Sequence, residues 1–199
     1  MSQPALILAS GSASRRALLD NAGIEAQAVR PNLDEETARA GMRAEGISVR
    51  DQAVHLAELK AMKVSSARPG LVIGGDQMLN LDGRAFDKPA DLAEARTHLE
   101  TLSGRTHTLE TALVICEGGA PVWRHVAQPR LTMRPLSGDF IDTYLDRAGE
   151  AVLSTVGAYQ LERLGSQLFA RIEGDYFSIL GMPLLALMDY LRTRGVLAT

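Results

Sequence analysis

Short apolar runs separated by small, polar or glycine-rich breaks organise this chain, and the spacing of the apolar positions switches between strand and helix periods. Pro4 to Ala9 is an apolar run that predicts a central strand, closed by the small polar loop Ser10 to Ser14. Arg15 to Ala22 then reads as a helix with Leu18 and Leu19 inward, Ser12 or Ser14 as N-cap and Gly23 as stop. Residues 37–46 are polar and carry Gly41 and Gly46, which predicts a mobile stretch rather than a helix. Ser48 to Ser65 has clear helical spacing, with Ser48 as N-cap and Pro69-Gly70 beyond its end. Leu71 to Leu79 begins with the β-prone run Leu71-Val72-Ile73, and predicts a buried strand ending on the carboxylate of Asp76.

The second half continues the alternation. Asp82-Gly83 is a hairpin-type turn pair. Asp91 to Leu102 predicts a helix, Thr108 to Cys116 a long strand, and Glu117 to Ala120 a turn. Val122 to Met133 predicts one antiparallel partner strand, with Pro129 marking an edge or bulge. Ser137 opens a helix that Gly149 stops. Leu168 to Ile172 is strand-like, Glu173 to Tyr176 a turn, and Leu184 to Arg194 a final amphipathic helix. Alternating strands and helices early, with antiparallel strands in the middle, predict an α/β fold with α+β character and a mixed sheet.

Composition narrows the class. The 199 residues suffice for one compact domain or two lobes sharing a core, and 46% hydrophobic content fits a globular protein. A net charge of −3 gives no general basic footprint for nucleic acid. Cys116 is the only cysteine, so no intramolecular disulfide forms, which suits a reducing cytosol. No apolar run approaches the ~20 residues of a membrane span, and no signal-peptide pattern opens the chain. The expectation is a cytoplasmic protein without membrane association.

Four groups of residues carry candidate chemistry. The order strand, small-residue loop, helix N-terminus around Ser10, Ser12, Arg15 and Arg16 favours a bound anion, because free amides and guanidinium forks converge there. An ordinary capped helix with a solvated arginine pair explains the same residues. Asp76, at the end of an apolar strand and preceded by Gly74-Gly75, is costly to bury unless paired or bound to a cation, although it can simply cap a turn. Asp82, Asp87 and Lys88 follow closely enough to converge with it. Lys60 falls on or at the edge of an otherwise apolar helix stripe, where it either snorkels outward or reaches into a cleft. Asp34, Glu35 and Glu36 read as caps or, more weakly, as metal ligands.

These motifs resemble the Maf family, whose members are nucleoside triphosphate pyrophosphatases. Leu8 to Arg16 is similar to the family's opening Ser-x-Ser-Pro-Arg-Arg segment, and Asp34-Glu35 to its acidic pair. Leu59-Lys60-Ala61 matches its helical lysine, and Gly75-Asp76, Leu81-Asp82-Gly83 and Lys88-Pro89 its catalytic strand and turn. Leu102 to His107, Gly157-Ala158-Tyr159, Ile172 to Tyr176 and Gly181-Met182-Pro183 follow in the family's order. The chain departs from the pattern at Ser12-Ala13-Ser14-Arg15-Arg16, one residue longer than usual. Gln77 replaces the usual threonine, and Gln160 to Arg163 replaces Gly-Ile-Gln-Gly. The resemblance therefore speaks more firmly to the reaction than to the base.

The resemblance implies a single Maf-like domain over 1–199, with an ITPase-like fold: a mixed twisted sheet flanked by helices, in two lobes around a central cleft. It implies hydrolysis between the α and β phosphates of standard or modified nucleoside triphosphates, giving a monophosphate and pyrophosphate, in a possible house-cleaning role. Asp76 is the implied proton acceptor, with Glu35 and Lys88 as catalytic partners. Ser10, Ser12, Arg15, Arg16, Lys60, Gln77 and Glu162 would bind substrate, the last two at the base. Asp76 and Glu35 would hold Mg2+ or Mn2+, hard ions suited to carboxylates and phosphate oxygens. A homodimer is expected, and a stable nucleic-acid complex is not. Two other readings compete: a non-catalytic nucleotide- or nucleic-acid-binding regulator linked to septum formation, and a phosphomonoesterase.

Overall fold

The computed structural model describes residues 4–198, so residues 1–3 and 199 of the expected 1–199 domain lie outside the described residues. The chain opens with β1 (Leu6–Ala9), α1 (Ala13–Asn21) and the short β2 (Gln27–Ala28). Next come α2 (Glu35–Ala44), α3 (Val49–Ser65) and β3 (Leu71–Leu81). A turn at Asp82-Gly83 leads to β4 (Arg84–Phe86), then α4 (Leu92–Leu102) and β5 (Thr106–Glu117). β6 (Ala120–Ala127), β7 (Arg130–Met133), α5 (Gly138–Ala148) and β8 (Phe169–Glu173) follow, and α6 (Tyr176–Ile179) and α7 (Leu184–Thr193) complete the order.

One mixed sheet holds all eight strands in the order β2-β1-β3-β5-β7-β8, with β4 added to β3 and β6 to β5. β1 runs parallel to both β2 and β3, and every other pairing is antiparallel. Two cores share β3. On one face of its first half, α3 contributes Val49, Ala53, Leu56 and Ala57 against Val72, Met78 and Val114. On the opposite face α1 and α7 bring Leu18, Leu19, Leu187 and Leu191 against Leu71, Ile73 and Ile115. The second half of β3 enters a separate core in which Leu79 and Leu81 pack with Leu99 and Leu102 of α4 and with Ile141 and Tyr144 of α5. These are the two lobes, and β3 and β5 are the elements that cross between them. Among the described residues no helix is long and apolar enough to cross a membrane.

Three expectations need correction. Residues 37–46 are largely helical, because Asp34 caps α2 through a 3.0 Å bond from the Thr37 amide, and Glu35 and Glu36 favour its positive end. Gly41 sits inside the helix despite an intrinsic cost of about 1 kcal/mol, and only Gly46, at φ 69°, acts as a stop. β3 does not end at Asp76: it pairs with β5 from Val72 to Asn80, so Asp76 lies mid-strand. Val122 to Met133 is two strands, β6 and β7, interrupted at Gln128-Pro129 because proline has no amide for the ladder.

Candidate active site

The site begins with a gap in the pairing of β3. Its parallel partner β1 reaches only as far as the Ala9–Gly74 pair, and its hairpin partner β4 starts at Leu79–Phe86. Between them Gly75, Asp76, Gln77 and Met78 present an edge that neither strand covers. Side chains alternate along a strand, so Gly74 and Asp76 face α3 while Gly75 and Gln77 face α1 and α6. A Cβ on Gly74 would collide with the Ala57 carbonyl and the Ala61 backbone, so glycine there lets α3 press against the strand. A Cβ on Gly75 would meet Leu113 and the Arg15 side chain.

The α3 face of the gap carries an ion cluster. Asp76 is 3% exposed. Lys60 Nζ donates to Asp76 Oδ1 at 2.7 Å and reaches Glu35 Oε2 at 2.8 Å. The apolar stripe on α3 thus carries Lys60 into the site, and the side chain does not snorkel outward. Asp76 Oδ2 is buried and has no hydrogen-bond partner among the described residues. A buried carboxylate oxygen left bare is costly, so it marks a place built for something else to bind. Arg39, from α2, lies 3.5 Å from Asp76 Oδ1 and 3.7 Å from Glu35 Oε2, and donates to Asp87 Oδ1 at 3.1 Å. Arg43 Nη2 grips both Asp87 oxygens at 2.8 and 2.7 Å. Burial works to raise the Asp87 pKa, but the bonds and charges of Arg43 and Arg39 prevail and hold it below the ordinary carboxylate value.

Arg15 is buried and enters from the other side. Its Nε donates to the Gly181 carbonyl at 2.8 Å and its Nη1 to Ser10 Oγ at 3.3 Å. Burial lowers its pKa, opposed by the charges of Asp76 and Glu35, which places it within their field. Lys88 is exposed at its surface, yet its pKa falls below the usual lysine value. Desolvation is the chief cause, followed by repulsion from Arg15 and Lys60. Lys60, Asp76 and Glu35 are thus in direct contact, and Arg15 and Lys88 lie within the electrostatic field of that cluster. Arg16 does not join them; it is exposed and pairs with Asp20 along its own helix at 3.6 Å. Ser12 serves as the N-cap of α1, accepting from the Arg15 amide, and Ser10 accepts from the Ser12 amide. Both serines shape the loop.

On the opposite face the gap opens into a narrow pocket lined by Ser14, Gln77, Tyr159, Gln160, Glu162 and Ile179. The Gln77 amide nitrogen donates to Thr111 Oγ1 and to the carbonyls of Ser178 and Ile179, at 2.9, 3.0 and 3.1 Å. Those acceptors fix the amide's orientation and leave its oxygen as an acceptor. Tyr159 is set by a turn with left-handed φ at Gly157 and Ala158, 78° and 58°. Its hydroxyl meets His107 Nε2 at 2.8 Å, and burial pushes the His107 pKa down to about 4.

Nothing local in the sequence marks Arg39, Arg43 or the Ser14 side chain as site-lining. The first two sit with Glu35 at spacings of four, the signature of one helix face, but the glycines drew attention away from it. Ser14 gave no signal beyond its place near a helix start.

For the implied divalent cation, the donor set fits. Asp76 Oδ2 is free, Glu35 lies beside the same lysine, and both are hard oxygen donors. Among the described residues no group of three or more His, Cys, Asp or Glu forms a ready-made cage. Such a pair suits an ion that completes its shell with phosphate oxygens and water.

A family model described as "Maf-like protein" matches residues 5–194. The chain is 68% identical over 195 residues to a protein of Hyphomonas neptunium named nucleoside triphosphate pyrophosphatase, covering 98% of each chain. It is 53% identical over 195 residues to a Rhodospirillum rubrum protein of the same name, covering 98% of this chain and 96% of that one. A Rhizobium meliloti protein named 7-methyl-GTP pyrophosphatase is 49% identical over 196 residues, covering 98% of each.

Proposed function

The chain belongs to the Maf-like protein family, and from that premise we propose that it is a nucleoside triphosphate pyrophosphatase, built as one domain and cleaving between the α and β phosphates. The observation that carries this reading is the bare Oδ2 of Asp76, buried in the gap while Lys60 holds the other oxygen of the same carboxylate. A carboxylate so held is restrained at one oxygen and free to accept a proton at the other. A water oriented by the Asp76 carboxylate attacks the α phosphorus, gives up its proton to that carboxylate, and pyrophosphate leaves. Arg15, Lys60 and Lys88 neutralise the triphosphate, and their preset charges stabilise the crowded phosphoryl oxygens in the transition state. Asp76 and Glu35 would hold Mg2+ or Mn2+, which supplies Lewis-acid polarisation of the phosphoryl group when bound.

Across the strand, Gln77 and Glu162 read the base. The Gln77 oxygen and the Glu162 carboxylate both accept, so they favour a base edge rich in N–H donors, as in guanine or a methylated guanine. The names of the relatives, which include both a general and a 7-methyl-GTP activity, agree with that chemistry. A cytoplasmic homodimer with a house-cleaning role completes the proposal.

The test is a screen of standard, methylated and oxidised triphosphates with Mg2+, reading pyrophosphate and orthophosphate separately. Pyrophosphate as the product supports the proposal. Orthophosphate would indicate a phosphomonoesterase instead, and binding without turnover would indicate the regulator.

A further inference from the structure

Arg39 has one firm partner and two loose ones. Its contact with Asp87 is 3.1 Å, whereas Asp76 and Glu35 lie at 3.5 and 3.7 Å. Charge-assisted N–H···O bonds settle at about 2.7–2.9 Å, so the two longer contacts are only weakly made. Asp76 Oδ1 is moreover already taken by Lys60 at 2.7 Å. Asp87 is itself immobilised from behind by the two-oxygen grip of Arg43. The outcome is a guanidinium tethered at its back, one-fifth exposed, and resting lightly on two carboxylates assigned above to chemistry.

Holding α2 onto the body does not require this arrangement. The Arg43–Asp87 pair also ties the helix down, and Ala38 and Met42 pack beneath it. A planar fork of five donors beside a site for a polyphosphate has a better use, since it matches phosphate oxygens two at a time. We propose that Arg39 contacts the substrate: on binding, its guanidinium leaves Asp76 and Glu35 for an oxygen of the triphosphate, turning on Asp87, with Arg43 as the residue that positions Asp87. Arrival of substrate then leaves Lys60 as the one cation bonded to Asp76 Oδ1, with Oδ2 still free. This inference rests on the pyrophosphatase reading of the site.

Steady-state pyrophosphate release tests it, run well below the melting temperature of every variant. Arg39→Ala should lower kcat/KM by about 30-fold or more, and Arg39→Lys should recover part of that loss by restoring the charge. Arg43→Ala should lower kcat/KM about 5-fold in the native background and less than 2-fold in the Arg39→Ala background. That coupling is one a merely structural pair would not show. If Arg39→Ala does not fold, Arg39→Gln carries the same expectation. A kcat/KM within 3-fold of the native protein for Arg39→Ala, or Arg43→Ala losses equal in both backgrounds, overturns the inference while the activity stands. A native protein that releases no pyrophosphate from any triphosphate overturns the underlying reading, and this inference with it.

Discussion

Asp76 and Gln77 are neighbours on one strand, yet they look out on different chemistry. The Asp76 face is crowded with charge: Lys60, Glu35, Arg39 and Asp87 lie in a connected set, and one carboxylate oxygen is left bare. The Gln77 face uses neutral hydrogen bonds, with every donor of the amide engaged and its oxygen left to accept. Under the proposed function this contrast is a division of labour. Strong fields act on phosphorus, where charge develops during reaction. Oriented acceptors act on a base, where a wrong partner must be refused by an unmade hydrogen bond. A two-residue stretch can separate these tasks because a strand turns successive side chains to opposite faces, and neither β1 nor β4 covers that stretch.

The sharpest way to break the comparison is Asp76→Asn. It should reduce pyrophosphate release by about 10²–10⁴-fold, the span of a lost general base, while circular dichroism shows an intact fold. Equal activity in the two proteins would remove chemistry from that face. Lys60→Met comes next. It leaves buried Asp76 with only the distant Arg39, and breaking such a pair costs about 3–5 kcal/mol, toward the lower figure here because Glu35 is partly exposed. A melting curve unchanged by Lys60→Met would show that the cluster contributes nothing to stability.

Smaller effects sharpen the boundary. Glu162→Gln should shift the kcat/KM ratio between guanine and adenine triphosphates by about 10-fold, with kcat on the better substrate nearly unchanged. A uniform loss on all bases would move Glu162 to the phosphate side. The smallest expected effect is in pH dependence. Lys88 is charged below its pKa, and that pKa is lowered by desolvation and by Arg15 and Lys60. Its charge is therefore lost on raising pH sooner than for an ordinary lysine. The alkaline limb of kcat/KM should fall early by a few-fold, and Lys88→Arg should move that limb upward. A limb unmoved by the substitution would assign it to another group.

Much of the framework was legible in the chain. The apolar run to Ala9, the Ser48 cap, the Asp82-Gly83 turn and the long strand ending near Cys116 all appear as read, because periodicity and capping are local properties. Lys60 showed itself by breaking an apolar stripe. α2 was hidden because its stability comes from tertiary ion pairs and a cap as much as from propensity, and Gly41 argued against it. Arg16 was read with Arg15, but a helix turns about 100° per residue, so one points to Gly181 and the other to solvent.

By itself the sequence determined most of the elements and the order of the family's motifs. Only the tertiary structure decided that Asp76 sits mid-strand at an unpaired edge, that α2 delivers Arg39 and Arg43 to Asp87, and that Oδ2 has no partner. The reason is physical. Helix and strand periods follow from neighbouring residues, whereas a gap between two strands and a bare oxygen depend on registers set by segments dozens of residues apart.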